Sequence, residues 1–247
     1  MSGLAYAPRD GVLVLGDGHL RALLARRVGR ACDPGLAREL DAAGLLPDGG
    51  VDRAVEPILD ALVGTGPRLR LVTRGSGAMC SLTAAVAVAG AALIVRPPGD
   101  GGVHLRYLSV GGLARHLARR VGVGSQVGGR SSSVEWPLRV AAWSDVIEPF
   151  GTASLSGWAV GARVGELHEL RWAARPGDAA RTALVTAVVA GGLLEVLPDP
   201  ARTGYLVGPA DPLGVWVRIS DLVSGGPERS RPPPPPQRRH GAARELS

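Results

Sequence analysis

Apolar positions along this chain keep one period in its first quarter and another from about residue 67 onward. The run Gly-Val-Leu-Val-Leu at 11–15 predicts a short strand. Asp17 then reads as the cap of a helix whose Leu20, Leu23, Leu24 and Val28 lie three or four residues apart on one face. Asp33-Pro34 gives a second start signal, an acceptor side chain followed by a residue whose missing N–H is harmless in a first turn. Leu36, Leu40 and Ala43 continue that helix and Gly44 stops it. A third helix carries Val51, Val55, Ile58, Leu59 and Leu62 on one side, and Pro57 implies either a kink or a true start near Glu56.

From Pro67 alternation replaces helical spacing. Residues 69–73 predict a strand, 74–77 a turn, and Met79 to Val95 one or two strands broken at Gly90. A turn at 97–102 leads into a strand at 103–108, and Ser109 caps a helix with Val110, Leu113, Leu117 and Val121 on one face. After a Gly/Ser-rich stretch at 122–133, Trp136-Pro137 opens a helix-like segment reaching about Glu148. Further strands are predicted at 165–174, at 182–197 (a pair broken by glycines), at 204–207 and at 214–219, with 220–225 starting a last helix.

The segment from Thr83 resembles the segment from Thr182, 99 residues on: an Ala/Val strand, a glycine, an aliphatic strand, a proline-bearing turn, then a strand with a tyrosine. This echo predicts a duplicated β-β-β-α unit with pseudo-twofold symmetry. The halves run from about 10 to 121 and from 134 to 225 within one unit spanning 1–225. Residues 226–247, with five consecutive prolines and scattered Arg, predict a disordered tail.

Composition narrows the chemistry. The 247 residues are 45% hydrophobic, ample for a core, yet contain no lysine and no asparagine; all 28 basic side chains are Arg. That excludes a Schiff-base lysine, a Walker-type phosphate loop and a kinase ion-pair lysine. Arg, Ala, Gly and Pro share GC-rich codons, so the pI of 10.5 reflects genomic bias of a high-GC, actinobacteria-like kind more than nucleic-acid binding. Half of the formal +6 sits in the tail. The longest apolar run, Leu82 to Val95, falls short of the ~20 residues that span a bilayer, and no basic region precedes an apolar run at the N-terminus. A soluble, cytoplasmic protein is expected.

No residue set has catalytic or metal-binding spacing. Cys32, in a helical stretch, and Cys80, in a strand, are far apart and read as buried free thiols. His168-Glu169-Leu170 lacks the second histidine of a zinc protease, position 172 being Trp. No enzyme activity, cofactor or metal is therefore expected. Two alternatives stay open: a DNA-binding regulator using the helices within 17–46, and a hydrolase assembled from distant residues such as Ser154 and His168. Arg38 stands beside Glu39 and Asp41, a near-balanced charge that suits a recognition helix poorly. All five Trp fall in the second half, and Trp143 and Trp158 fit no core pattern, which makes them interface candidates.

The order of features resembles the EspG family, the secretion-associated chaperones of actinobacterial type VII (ESX) systems. One resemblance runs over 36–72, where a helix ends in Gly44-Leu45, an acidic-glycine turn follows, then a helix, then a strand. The other covers 203–225, with Gly204-Tyr205, Trp216-Val217 and Pro209-Ala210-Asp211, although the last group precedes the Trp here and the family's Arg before Tyr is displaced to Arg202. The resemblance implies an α/β (α+β) fold with a quasi-twofold, central, mostly antiparallel sheet flanked by helices. It implies a cytosolic chaperone-like adaptor that binds a PE/PPE-type helical heterodimer. The contact surface is expected around Arg74 to Met79 and in the helical stretch around Trp143, and Trp158 is a further partner-binding candidate.

Overall fold

The computed structural model describes residues 5–7, 11–75, 78–97, 102–123, 138–140, 164–189, 192–198 and 205–225. Strands β1 (Ala5–Ala7) and β2 (Val12–Gly16) precede helices α1 (Asp17–Arg27), α2 (Pro34–Ala42) and α3 (Glu56–Val63). Then come β3 (Arg68–Gly75), β4 (Ala78–Ala87), β5 (Gly90–Arg96), β6 (Gly102–Leu108) and α4 (Val110–Arg120). The chain continues through β7 (Leu138–Val140), β8 (Val164–Ala173), β9 (Arg181–Val189), β10 (Gly192–Pro198), β11 (Tyr205–Pro209) and α5 (Pro212–Ser224). The eleven strands make one sheet, ordered β1-β2-β6-β5-β4-β3-β8-β9-β10-β11-β7, with every neighbouring pair antiparallel.

That order repeats itself about its middle. The meander β3-β4-β5-β6 followed by α4 matches β8-β9-β10-β11 followed by α5, and β2 and β7 occupy the same outer place beside β6 and β11. The halves join where β3 pairs with β8, and there Leu71 stands opposite Leu170, its own counterpart 99 residues on. Beyond β8 the spacing lengthens. Leu71 opposes Leu82, whereas Leu170 opposes Leu184, and the capping residues Ser109 and Asp211 are 102 apart (109 to 211). The echo of Thr83 in Thr182 thus has the right element order and a register three residues short. The cause is the longer connection between β8 and β9, residues 174–180, with a bulge after Leu170.

Local chemistry explains most element ends. Asp33 accepts from the backbone N–H groups of Gly35 (2.8 Å) and Leu36 (3.0 Å), and Pro34 fills the first turn of α2. Gly44 adopts a left-handed φ of 73° just past that helix. Ser109 caps α4 through the Gly112 N–H at 3.1 Å. Asp17 behaves otherwise: it is the first residue of α1, not its cap, and its carboxylate takes Arg96 Nη1 at 2.8 Å. Arg74 and Gly75 belong to β3 and not to the turn. Cys32 lies between α1 and α2 rather than in a helix, and both cysteines are free and half-buried rather than fully buried.

Two expectations fail outright. Residues 214–219 are helix, because Asp211 accepts from Leu213 N (3.1 Å) and Gly214 N (3.0 Å) with Pro212 behind it, and this cap overrides the strand preference of Val215, Val217 and Ile219. Leu138–Val140, expected within a helix, pairs with β11 as an edge strand. The rest of that segment and the tail lie outside the described residues.

The core has two parts on opposite faces of the sheet. On one face α4 and α5 cover Leu69, Leu71, Leu82, Leu93, Leu170, Leu184 and Leu193, drawing residues from both halves. On the other, α1–α3 cover Leu13, Leu15, Ala85, Ala92, Val103 and Leu105, all from the first half.

Candidate functional site

Strand pairing fixes what the centre of the sheet presents on each face. On the α4/α5 face, Thr73, His168 and Thr186 form a short polar row at the end of α4. His168 is 1% exposed. Its Nδ1 meets Thr73 Oγ1 at 3.0 Å, and Thr186 Oγ1 donates to the Val121 carbonyl at 3.3 Å. Burial, reinforced by the nearby positive charge of Arg120, pushes the His168 pKa down to about 4, so the ring is neutral near pH 7. Nε2 lies 3.4 Å from Glu166 Oε2 without hydrogen-bond alignment. A neutral imidazole locked between strands is poorly placed as a general base, and Ser154, its suggested partner, lies outside the described residues.

Further along this face Arg218 of α5 reaches Glu195 of β10. Nη2 donates to Oε2 at 2.5 Å, and Nη1 sits against Oε1 as an ion pair without a well-aligned hydrogen bond. The corresponding place on α4, 102 residues earlier, holds His116, whose pKa is lowered by burial and by Arg120, Arg106 and Arg119.

The opposite face is where the expected contact residues fall. The successive rows across β4, β3 and β8 are Ala85–Arg68–Ala173, Thr83–Arg70–Arg171, Ser81–Val72–Glu169 and Met79–Arg74–Leu167. Arg74 and Met79 are therefore direct cross-strand neighbours, and Met79 is 62% exposed, unusual for so large an apolar side chain on a strand. Trp143 and Trp158 lie outside the described residues.

Beside this pair stand Arg70 and Arg171, which no local signal marks, and Glu169, considered from the sequence only as part of a metal motif. Glu169 is buried, and Arg171 Nε (2.7 Å) and Thr182 Oγ1 (2.9 Å) donate to its Oε1. Burial pushes its pKa up, but those two hydrogen bonds and the charges of Arg171 and Arg74 outweigh it, so the net shift is downward and the carboxylate stays ionised. Arg68, in the first of these rows, is occupied elsewhere. Its guanidinium donates to the carbonyls of Leu62 (2.9 Å), Gly64 (2.6 Å), Gly66 (3.0 Å) and Pro67 (3.4 Å), neutralising the end of α3.

The N-terminal helices show little that would grip a duplex. Glu39 of α2 takes His19 Nε2 at 2.8 Å, and Arg38 Nε donates to the Pro34 carbonyl at 3.3 Å. A shallow, open hollow of about 350 Å³ beside α2 is lined by Arg26, Arg38, Asp41 and Asp48, mixing both signs of charge. Among the described residues no helix is long and apolar enough to cross a membrane, and no group of three His, Cys, Asp or Glu side chains could hold a metal ion.

No family model matches the sequence, and no curated protein matches it. The fold does have a solved counterpart: the Mycobacterium tuberculosis type VII secretion system chaperone EspG5, solved in complex with a PE25–PPE41 dimer. The two superpose with a TM-score of 0.57 at 13% sequence identity, over 88% of this chain and 97% of that one. The chain therefore has a distant EspG-like fold.

Proposed function

We propose that this chain is a chaperone-like adaptor of a type VII secretion system, holding a helical PE/PPE-type client in the cytosol before export. The observation that carries the reading is the EspG-like fold, which extends over 88% of the chain and accounts for nearly all of its counterpart. The sheet face described above supports it. A chaperone of this kind needs an accessible apolar surface on a rigid scaffold, and Met79 is a polarizable, adaptable contact held on a central ladder. The contact surface in this reading includes Arg74, Met79, Trp143 and Trp158. The working body is residues 1–225, and the proline-rich tail is dispensable, having too few apolar side chains to offset the entropy of ordering.

The test is co-expression with PE/PPE-like pairs encoded in the same genome. A stoichiometric complex on size exclusion is expected. Met79→Asp should abolish it while leaving the circular dichroism spectrum and melting temperature of the free protein unchanged, because an exposed side chain contributes little to folding but a charge in an apolar contact is costly. Failure of every such pair to co-purify, together with tight salt-sensitive DNA binding, would replace this reading by that of a regulator.

A further inference from the structure

Arginines and carboxylates are unequally matched on the sheet face away from α4 and α5. Arg70 and Arg74 from β3 and Arg171 from β8 share it, and Glu169 is the one carboxylate that the described parts of β3, β4, β8 and β9 place there. Glu169 is already satisfied by Arg171 and Thr182. Arg70 is exposed and stands directly opposite Arg171, like charge against like. No carboxylate of the described residues lies within 4.0 Å of Arg70 or Arg74. At the margin, where β5 adjoins β4, Arg96 is neutralised by Asp17. Among the described residues three guanidinium groups thus face one carboxylate, a net excess of two positive charges beside Met79, and Arg74 shares with Arg171 the field of Glu169.

We propose that this shelf docks an acidic protein segment, whose carboxylates pair with Arg70 and Arg74 while an apolar side chain meets Met79. Charge complementarity selects the partner. Arg70 and Arg74 are four residues apart on one strand, about 13 Å, so two separate carboxylates are needed rather than one bidentate group. A phosphate backbone fits less well, because it leaves the exposed, apolar Met79 beside Arg74 without a partner. The proposal rests on the client reading above and adds the chemistry of the docking segment.

The probes are a synthetic helical peptide carrying Glu and Leu, the same peptide with Gln for every Glu, and a single-stranded DNA of equal charge. Each is titrated into the full-length protein by fluorescence anisotropy. The Glu peptide should bind, and the Gln copy should bind about tenfold more weakly or worse. A similar loss is expected when salt rises from about 0.1 M to about 1 M, which shortens the Debye length from roughly 10 to 3 Å. The pair Arg70→Glu and Arg74→Glu should weaken the Glu peptide at least about tenfold. Should that pair fail to fold by circular dichroism, Arg70→Gln with Arg74→Gln serves in its place. Equal binding of the Glu and Gln peptides, an unaffected double variant, or tighter binding of the DNA would each overturn the proposal. The two ideas also separate cleanly. If the peptides behave as expected and no PE/PPE pair ever co-purifies, the acidic-segment site stands and the client reading falls. If a pair co-purifies but ignores both salt and the arginine substitutions, the client reading stands and this site falls.

Discussion

The two faces of the sheet are covered on different terms. Under α4 and α5 the buried leucines come from both halves of the chain, and the pair Leu71–Leu170 lies at the join itself. Under α1–α3 every buried residue falls between 13 and 105, within the first half. Among the described residues, α4 and α5 therefore weld the halves, and α1–α3 complete only one of them. The chain has a repeated topology but not a repeated division of labour.

Single truncations should expose that contrast most strongly. Leu71→Ala and Leu59→Ala each remove a fully buried leucine and should each cost about 2–5 kcal/mol. Hydrogen exchange read by mass spectrometry should then differ in pattern. Leu71→Ala is expected to speed exchange in both halves, and Leu59→Ala chiefly in residues 13–107. The same spread for both variants would erase the distinction between the faces.

Acid should act on the welding face through His168. Its folded-state pKa, about 4, lies below the ordinary 6.5, so the unfolded chain takes up the proton first as pH falls. The contribution is complete above pH 6.5 and is lost as pH drops toward 4, on the order of 3 kcal/mol over the window. Glu169, with its lowered pKa, adds a further loss at lower pH, through the carboxylate range. Urea midpoints measured across this range should flatten between pH 6.5 and 4 in His168→Leu; an unchanged slope would assign the acid sensitivity elsewhere.

The smallest effect compares α4 with α5. Ser109→Ala and Asp211→Ala should each lower stability by about 1 kcal/mol in thermal melts. Asp211 should matter slightly more, since it accepts from two N–H groups where Ser109 accepts from one. A larger loss at Ser109 would mean the two helices are not held alike.

Much of this architecture was legible in local signals. Asp33-Pro34, Ser109 and the glycine-broken aliphatic runs each carry their instruction within a few residues, and the elements formed where they pointed. At α5 the strand preference of Val215, Trp216 and Val217 competes with Asp211-Pro212, the same kind of start signal as Asp33-Pro34, and the cap prevails. A cap acts on the backbone directly, whereas strand preference depends on neighbours that a helix never meets. Arg74 and Met79 were readable as a pair because a short connection sets them opposite each other. Arg70 and Arg171 were not: nothing near either residue announces a partner about a hundred positions away, and only the β3–β8 register brings them together.

That register also sets a schedule for the growing chain. Strand β3 pairs with β4 across a connection of two residues, but its other edge waits for β8, and Leu71 meets Leu170 only after 99 further positions. Closing so long a loop costs about 2 kcal/mol more than closing one of ten residues. At a synthesis rate of roughly 5–20 residues per second, the wait lasts about 5–20 seconds. During it the first half presents Arg68–Gly75 as a bare strand edge, the kind of surface on which a neighbouring chain can pair. The positive charges of Arg68, Arg70 and Arg74 stand on that edge throughout, and like charges on two such edges repel. Arginines that lie on one face of the finished sheet thus first keep newborn copies of the chain apart.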